Sequence, residues 1–264
     1  MVKFEYSCED ELKNSVADKS CWDLGPDFDD MNPLWRGVEI EYRYNSMGFR
    51  GAEPEQGKSC YVSFGDSNTV GVGLHQHQAY PEIIAKHFDV AHYSFAKQGI
   101  DAASVFRNVT LFFENKMHGL DVKFITVLWP VWDRFTWIEH GHYQPLMKEN
   151  YRNPQQRQFM DYWEQEVSLN YTVHFAHAID LLCKLHNIPL VQTTWMRIPE
   201  QPIYEWPSSF FNPAGEGVYN ERPGAMPVMI HDQARDKMHG GPESNQLTAD
   251  FYIRHLTDAL HRSV

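Results

Sequence analysis

Between residues 59 and 260, short apolar runs alternate with segments of helical periodicity, and this alternation is what most restricts the fold. Ser59-Cys-Tyr-Val-Ser-Phe64 is an apolar run that stops at Gly65, the length and boundary of a strand. Tyr80-Pro-Glu-Ile-Ile-Ala-Lys-His-Phe88 has Pro near its start and apolar residues at helical spacing, which predicts a helix. Val90–Ser94 predicts a second strand, and Lys123–Trp129 a third that is almost wholly apolar. Between them, Asp101–Lys116 reads as a helix with Val105, Val109, Leu111 and Phe112 turned inward. Phe159–Asn187 reads as one long helix and Ile188–Thr194 as a fourth strand. Residues 196–225 read as loop, Val228–Ile230 as a short fifth strand and Leu247–Leu260 as the closing helix. Strands separated by helices imply βαβ units, hence an α/β fold with a parallel sheet covered on both faces. Near-continuous apolar strands fit a sheet buried on both sides. In such folds ligands bind at the carboxyl ends of the strands. Functional residues are therefore expected just after Phe64, Ser94, Trp129, Thr194 and Ile230.

Composition removes several classes. Of 264 residues, 42% are hydrophobic and 22% charged, which is ordinary for a globular chain and unlike a disordered one. Asp and Glu number 35 against 23 Lys and Arg, a net charge of −12, with no basic cluster. Nucleic acid or an anionic membrane surface is therefore not expected as the main partner. No run of 18 apolar residues exists, and the N-terminus turns acidic without an apolar core. Neither a membrane span nor a secretory signal is expected. Cys8, Cys21, Cys60 and Cys183 form no CxxC pair and are too few for a disulfide scaffold. Reduced thiols in a cytoplasmic compartment are the expectation, with Cys60 and Cys183 serving in core packing. Residues 1–50 are acidic and irregular, and Trp22, Phe28, Leu34 and Trp35 are too little for an independent core. They read as an arm packed on a domain of residues 51–264.

Gly65-Asp-Ser-Asn-Thr-Val-Gly-Val-Gly73 follows the first strand. A serine at a strand-to-helix turn can present its hydroxyl outward, and its backbone N–H can help hold an oxyanion. The same residues also fit a Gly-rich turn with Ser67 as helix N-cap. No Gly-Lys-Ser/Thr follows, so this is not a phosphate-binding Walker loop. A serine nucleophile needs a base, and the base needs an orienting carboxylate. Asp-x-x-His occurs as Asp89/His92, Asp236/His239 and Asp258/His261. The first flanks the amino side of a strand and the third lies in the final helix. Only Asp236/His239 falls between the last strand and the final helix, where it can meet Ser67.

Three segments then occur in order: Tyr44-Asn-Ser-Met-Gly-Phe-Arg-Gly51, Phe64-Gly-Asp-Ser-Asn-Thr-Val-Gly71 and Asp236-Lys-Met-His-Gly240. On these, the chain resembles the SGNH (GDSL-like) hydrolase family of esterases, lipases and carbohydrate deacetylases, over residues 44–260. The resemblance implies a three-layer α/β/α flavodoxin-like fold and cofactor-free ester hydrolysis. It makes Ser67 the nucleophile, His239 the general base and acid, and Asp236 the residue that orients His239. It implies an oxyanion hole built from the N–H groups of Ser67 and Gly99. Ser94-Phe-Ala-Lys-Gln-Gly99 stands where the family has Asn-x-Gly-x-x-Gly, although a plain strand-to-helix turn explains Gly99 equally well. The third block departs from the family. Its Gly-x-Asn-Asp is replaced by Pro130-Val-Trp-Asp133, so Trp132 stands where an Asn would donate to the oxyanion. Trp132, Arg134 and Asn68 are the candidate substitutes or substrate contacts, and Arg134 has the alternative of pairing with Asp133 or another carboxylate. The implied substrate is a small-molecule, lipid or carbohydrate ester. The rival readings are a catalytically impaired binding or assembly module on the same fold, and an O-acyltransferase.

Other patterns have plain explanations. His75-Gln-His77, His140-Gly-His142 and His231-Asp232 have metal-like spacing, but no third ligand accompanies any of them, so no metal is expected. The three Met between Met226 and His239 suit core and loop packing. The aromatic loop Tyr204-Glu-Trp-Pro-Ser-Ser-Phe-Phe211 suits either an acyl or sugar pocket or packing on the N-terminal arm, with the arm favoured.

Overall fold

In a computed structural model of the protein, four strands pair in parallel in the order β2-β1-β3-β6: β1 (Ser59–Gly65), β2 (Ala91–Ser94), β3 (Asp121–Trp129) and β6 (Leu190–Thr194). The structure describes residues 33–262 apart from 133, 140–141, 147–153, 163–164, 197–204, 214–215 and 217–228. Trp22, Phe28, Cys8, Cys21 and Asp133 thus lie outside the described residues. The helices are α1 (Ser67–Val70), α2 (Tyr80–Phe88), α3 (Ala102–Glu114), α4 (Pro154–Tyr162), α5 (Gln165–Leu185) and α6 (Pro242–Arg262).

Alternation along each strand explains the layering. Cys60, Val62 and Phe64 of β1, with Ile125, Val127 and Trp129 of β3, enter one core cluster. Val105, Val109 and Phe112 of α3 and Ala176 and Ile179 of α5 join it from above. Tyr61, Phe124, Leu128 and Val191 face the other way, toward Tyr80 and Ile84 of α2 and Tyr252 and Leu256 of α6. Both faces of the sheet are therefore buried, which is why its strands carry so few polar residues. The outcome is a three-layer α/β/α sandwich whose 2-1-3 strand order is flavodoxin-like. Among the described residues no helix is long and apolar enough to cross a membrane.

The structure refines the element assignments. Within the expected helix over 159–187, the described residues are helical in α4 and from Gln165 to Leu185 in α5, and residues 163–164 between them lie outside the described residues. Val228 lies outside the described residues, and Met229 and Ile230 are not strand. Among the described residues Met229 makes a single backbone bond, to the Trp195 carbonyl at 3.0 Å, too little to hold a ladder. A hairpin, β4 (Phe135–Glu139) with β5 (His142–Leu146), forms an antiparallel pair outside the main sheet. Its signal was present in the β-branched and aromatic residues flanking Gly141. Of the aromatic loop, residues 205–211 are described, while Tyr204 and residues 1–32 of the arm lie outside the described residues. Trp206 and Phe210 stack at 3.8 Å and pack against Trp132 and Met196, and Ser209 and Phe211 hydrogen-bond to Gln192 of β6.

Candidate active site

The nucleophile turn is built from its ends inward. Asp66, rather than Ser67, caps α1: its Oδ1 accepts the Asn68 N–H at 3.0 Å. Ser67 therefore occupies the first helical position with its hydroxyl not spent on capping. Its backbone N–H donates to no described residue. The turn admits only glycine before Asp66, because a Cβ on Gly65 would lie 2.0 Å from Thr69 Oγ1 and 2.9 Å from the Leu128 carbonyl oxygen.

The far end of α1 is closed by Arg50. Its buried guanidinium donates to the carbonyls of Val70 (3.1 Å), at the helix end, and of Gly71 (2.7 Å) and Leu74 (2.8 Å) in the turn that follows. Asn45 sets up this reach. Its Oδ1 accepts the N–H groups of Met47 and Phe49, forming a turn that sends Phe49 into the core beside Phe95 and Arg50 beneath α1.

Asp236 and His239 form the second turn. Asp236 Oδ1 accepts the N–H groups of Met238 and His239, both at 3.1 Å, and Oδ2 accepts the His239 Nδ1–H. With Nδ1 committed as donor, His239 Nε2 is the acceptor, and it lies 2.7 Å from Ser67 Oγ. Asp236 is buried, while the His239 side chain stays 18% exposed, open enough to meet a substrate. Gly73 lets the two turns interlock: at φ +77°, a Cβ there would fall 2.8 Å from Ala234 Cβ and 3.1 Å from Asp236 Oδ1. Trp35 and Ile40 pack on Leu74 and Ala234 from outside, and the Trp35 indole donates to the Gln233 carbonyl at 2.9 Å.

Gly99 lies in the turn between β2 and α3, at φ +71°. Two residues earlier, the Lys97 N–H donates to the Gly65 carbonyl at 3.2 Å, so this segment runs beside the nucleophile turn. The Gly99 N–H donates to no described residue.

The three third-block candidates are arranged differently from one another. Trp132 is buried among Val131, Leu169 and Met196, and its indole N–H is closed off from solvent with no acceptor among the described residues. The Asn68 amide lies 3.4 Å from Asp66 Oδ1, within the helix cap. Arg134 Nη1 donates to Asp66 Oδ2 at 3.0 Å.

Spacing did not foretell the partners of His92. It bonds not to Asp89 but to Glu82 of α2, through Nδ1 at 2.9 Å, and to Ser63 of β1, through Nε2 at 2.8 Å. This is a second serine–histidine–carboxylate string, but Ser63 is wholly buried in mid-strand, where no substrate reaches. Burial alone would raise the Glu82 carboxyl, yet the hydrogen bond and charge of His92, with Gln76 and Arg50, hold it below its ordinary range. Burial, aided by Asp121, pushes the Cys60 thiol up to about 12, so it is a packing residue and not a nucleophile. Among the described residues no three or more His, Cys, Asp or Glu gather as a metal site, and His75 and His77 simply stack.

No family model and no curated protein matches this sequence. Solved structures similar to it are GDSL/SGNH-type hydrolases, esterases and lipases. A GDSL-like lipase from Bacteroides thetaiotaomicron is 13% identical, with 76% of this chain and 88% of that one covered at a TM-score of 0.44. An acetyl xylan esterase from the rumen bacterium Butyrivibrio proteoclasticus is 12% identical, covering 81% and 67% at 0.45. An esterase from Pseudoalteromonas sp. is 10% identical, covering 77% and 97% at 0.41. These are distant likenesses, and the chemistry assigned to this chain rests on its own geometry.

Proposed function

We propose that the protein is a serine ester hydrolase of the SGNH type. The observation that carries this reading is the chain of two hydrogen bonds from Asp236 through His239 to Ser67 Oγ. Ser67 Oγ attacks the ester carbonyl while His239 Nε2 takes its proton. Asp236 holds the imidazole in the needed tautomer and favours the imidazolium that forms. The backbone N–H groups of Ser67 and Gly99, which donate to none of the described residues, receive the developing oxyanion. His239 then protonates the departing alcohol, leaving an acyl-serine. Water, deprotonated by the same imidazole, attacks that intermediate, and the acid leaves as Ser67 recovers its proton. No cofactor enters. The substrates are acetyl or short acyl esters of a small molecule, lipid or carbohydrate. Residues 1–50 serve as a cover on the 51–264 domain, a role supported by the packing of Trp35 and Ile40 behind the two site turns. A reducing, cytoplasmic setting suits Cys60 and Cys183, which are buried free thiols.

A fluorophosphonate probe tests the reading, together with hydrolysis of p-nitrophenyl acetate. Labelling that maps to Ser67 and disappears in Ser67→Ala is expected, alongside measurable turnover. Absence of both labelling and turnover overturns the hydrolase reading and favours a binding module. Product analysis with a competing alcohol separates hydrolysis from O-acyl transfer.

A further inference from the structure

Directly before the nucleophile, a carboxylate is fully buried: the Asp66 side chain has 0% exposure. Its two oxygens are differently engaged. Oδ1 holds the first turn of α1 through the Asn68 N–H, and Oδ2 takes Arg134 Nη1. Arg134 is itself only 14% exposed and stands at the start of the β4–β5 hairpin. The hairpin in turn packs against α3, the helix that follows Gly99. It is therefore tied to the nucleophile turn through the ion pair and packs on the helix that follows the Gly99 turn.

We infer that Arg134 is a positioning residue that neutralises Asp66 beside the oxyanion site and couples the hairpin to the nucleophile turn; this rests on the hydrolase reading above. The physical reason is charge. An anionic tetrahedral intermediate on Ser67 forms next to a carboxylate that water does not screen. Like charges at short range in a dry site repel strongly. Arg134 cancels that field through a hydrogen-bonded pair, and its guanidinium stays charged at any working pH. Asp66 cannot simply be dispensed with, because its Oδ1 caps α1. The structure reconciles a cap beside the nucleophile with an anionic intermediate by pairing the cap's second oxygen with a cation.

A double-mutant cycle separates this role from direct donation by Arg134 to the oxyanion. Asp66→Asn keeps a capping oxygen and removes the charge. Arg134→Ala is expected to lower kcat on a short acyl ester at least tenfold, with KM changed less than threefold, and Arg134→Lys to recover part of the loss. The double variant D66N/R134A is expected to be faster than R134A alone, because the charge that needed cancelling is gone. A double variant as slow as R134A, or slower, overturns the positioning role and points to direct contact with the reacting oxygen. An R134A variant with wild-type kcat overturns both. Hydrogen exchange supplies a readout independent of activity: R134A is expected to speed exchange in 66–71 and 134–146 together, and by a larger factor than in the strands of the sheet. Unchanged exchange in 66–71 removes the coupling. If wild type neither labels nor turns over ester while that exchange response is present, the hydrolase reading fails and the structural pairing stands by itself.

Discussion

His239 Nε2 lies 2.7 Å from Ser67 Oγ across 172 residues of sequence. The two side chains meet because each stands on a turn at the same end of the sheet, one after β1 and the other just ahead of α6. Gly73 allows those turns to touch. If they form one catalytic unit, Ser67→Ala and His239→Ala each lower kcat on the order of 10⁴-fold or more, and the double variant is no slower than the worse single one. Asp236→Asn costs about 10²–10⁴-fold by presenting the wrong tautomer. Steady-state kinetics on a p-nitrophenyl ester measure all four; losses that multiply in the double variant would show that the residues act separately.

Gly73→Ala places a methyl group against Ala234 and Asp236 and demands a left-handed backbone of a residue that resists it. A loss of about 1–3 kcal/mol in stability is expected. Activity at temperatures where the variant remains folded should fall as well, because Asp236 must shift. Urea titration and kcat on the same sample give both quantities, and an active, fully stable G73A would contradict the interlock.

Arg50 donates to three carbonyls, and among the described contacts those of Val70 and Leu74 have no other donor, while that of Gly71 also accepts the Leu74 N–H. Hydrogen bonds from a charged donor contribute about 1.5–3 kcal/mol each, and Arg50→Met leaves their acceptors behind. The expected cost is about 3 kcal/mol or more in urea unfolding. A variant within about 1 kcal/mol of wild type, well short of that loss, would show that water replaces the guanidinium.

Glu82 supplies a pH test. Its folded carboxyl titrates below its ordinary value of 4.5, so the unfolded chain takes up the proton first as pH falls. The stabilisation is complete above the unfolded value and is lost as pH drops through the lower, folded one. Wild type is therefore expected to lose stability more steeply than Glu82→Gln from pH 4.5 downward. Chemical denaturation at a series of pH values checks this, with parallel curves for the two proteins as the contrary result.

Cys60 and Cys183 are expected to resist alkylation in the folded protein at pH values where free thiols react, because burial disfavours their thiolates. Peptide mapping after iodoacetamide treatment, with and without denaturant, reports on each site. Modification of either in the native protein at the denatured rate would contradict their burial.

Much of this protein was legible in its sequence because local patterns encode local structure. Apolar runs such as Lys123–Trp129 mark strands buried on both faces, and the spacing of Val105, Val109 and Phe112 marks a helix with one inward side. Order along the chain then singled out Asp236/His239, since in a parallel sheet the chemistry gathers at one end. Other features were decided only by tertiary structure. Asp66 rather than Ser67 is the cap, because the turn geometry after Gly65 aims its carboxylate back at Asn68. His92 takes Glu82 instead of Asp89, because strand register and helix packing, not spacing, set which side chains share a layer. The hairpin and its Arg134 pairing with Asp66 join residues 68 positions apart. No periodicity records such a contact: it depends on how separate elements dock, and docking is fixed by the shape of the whole core.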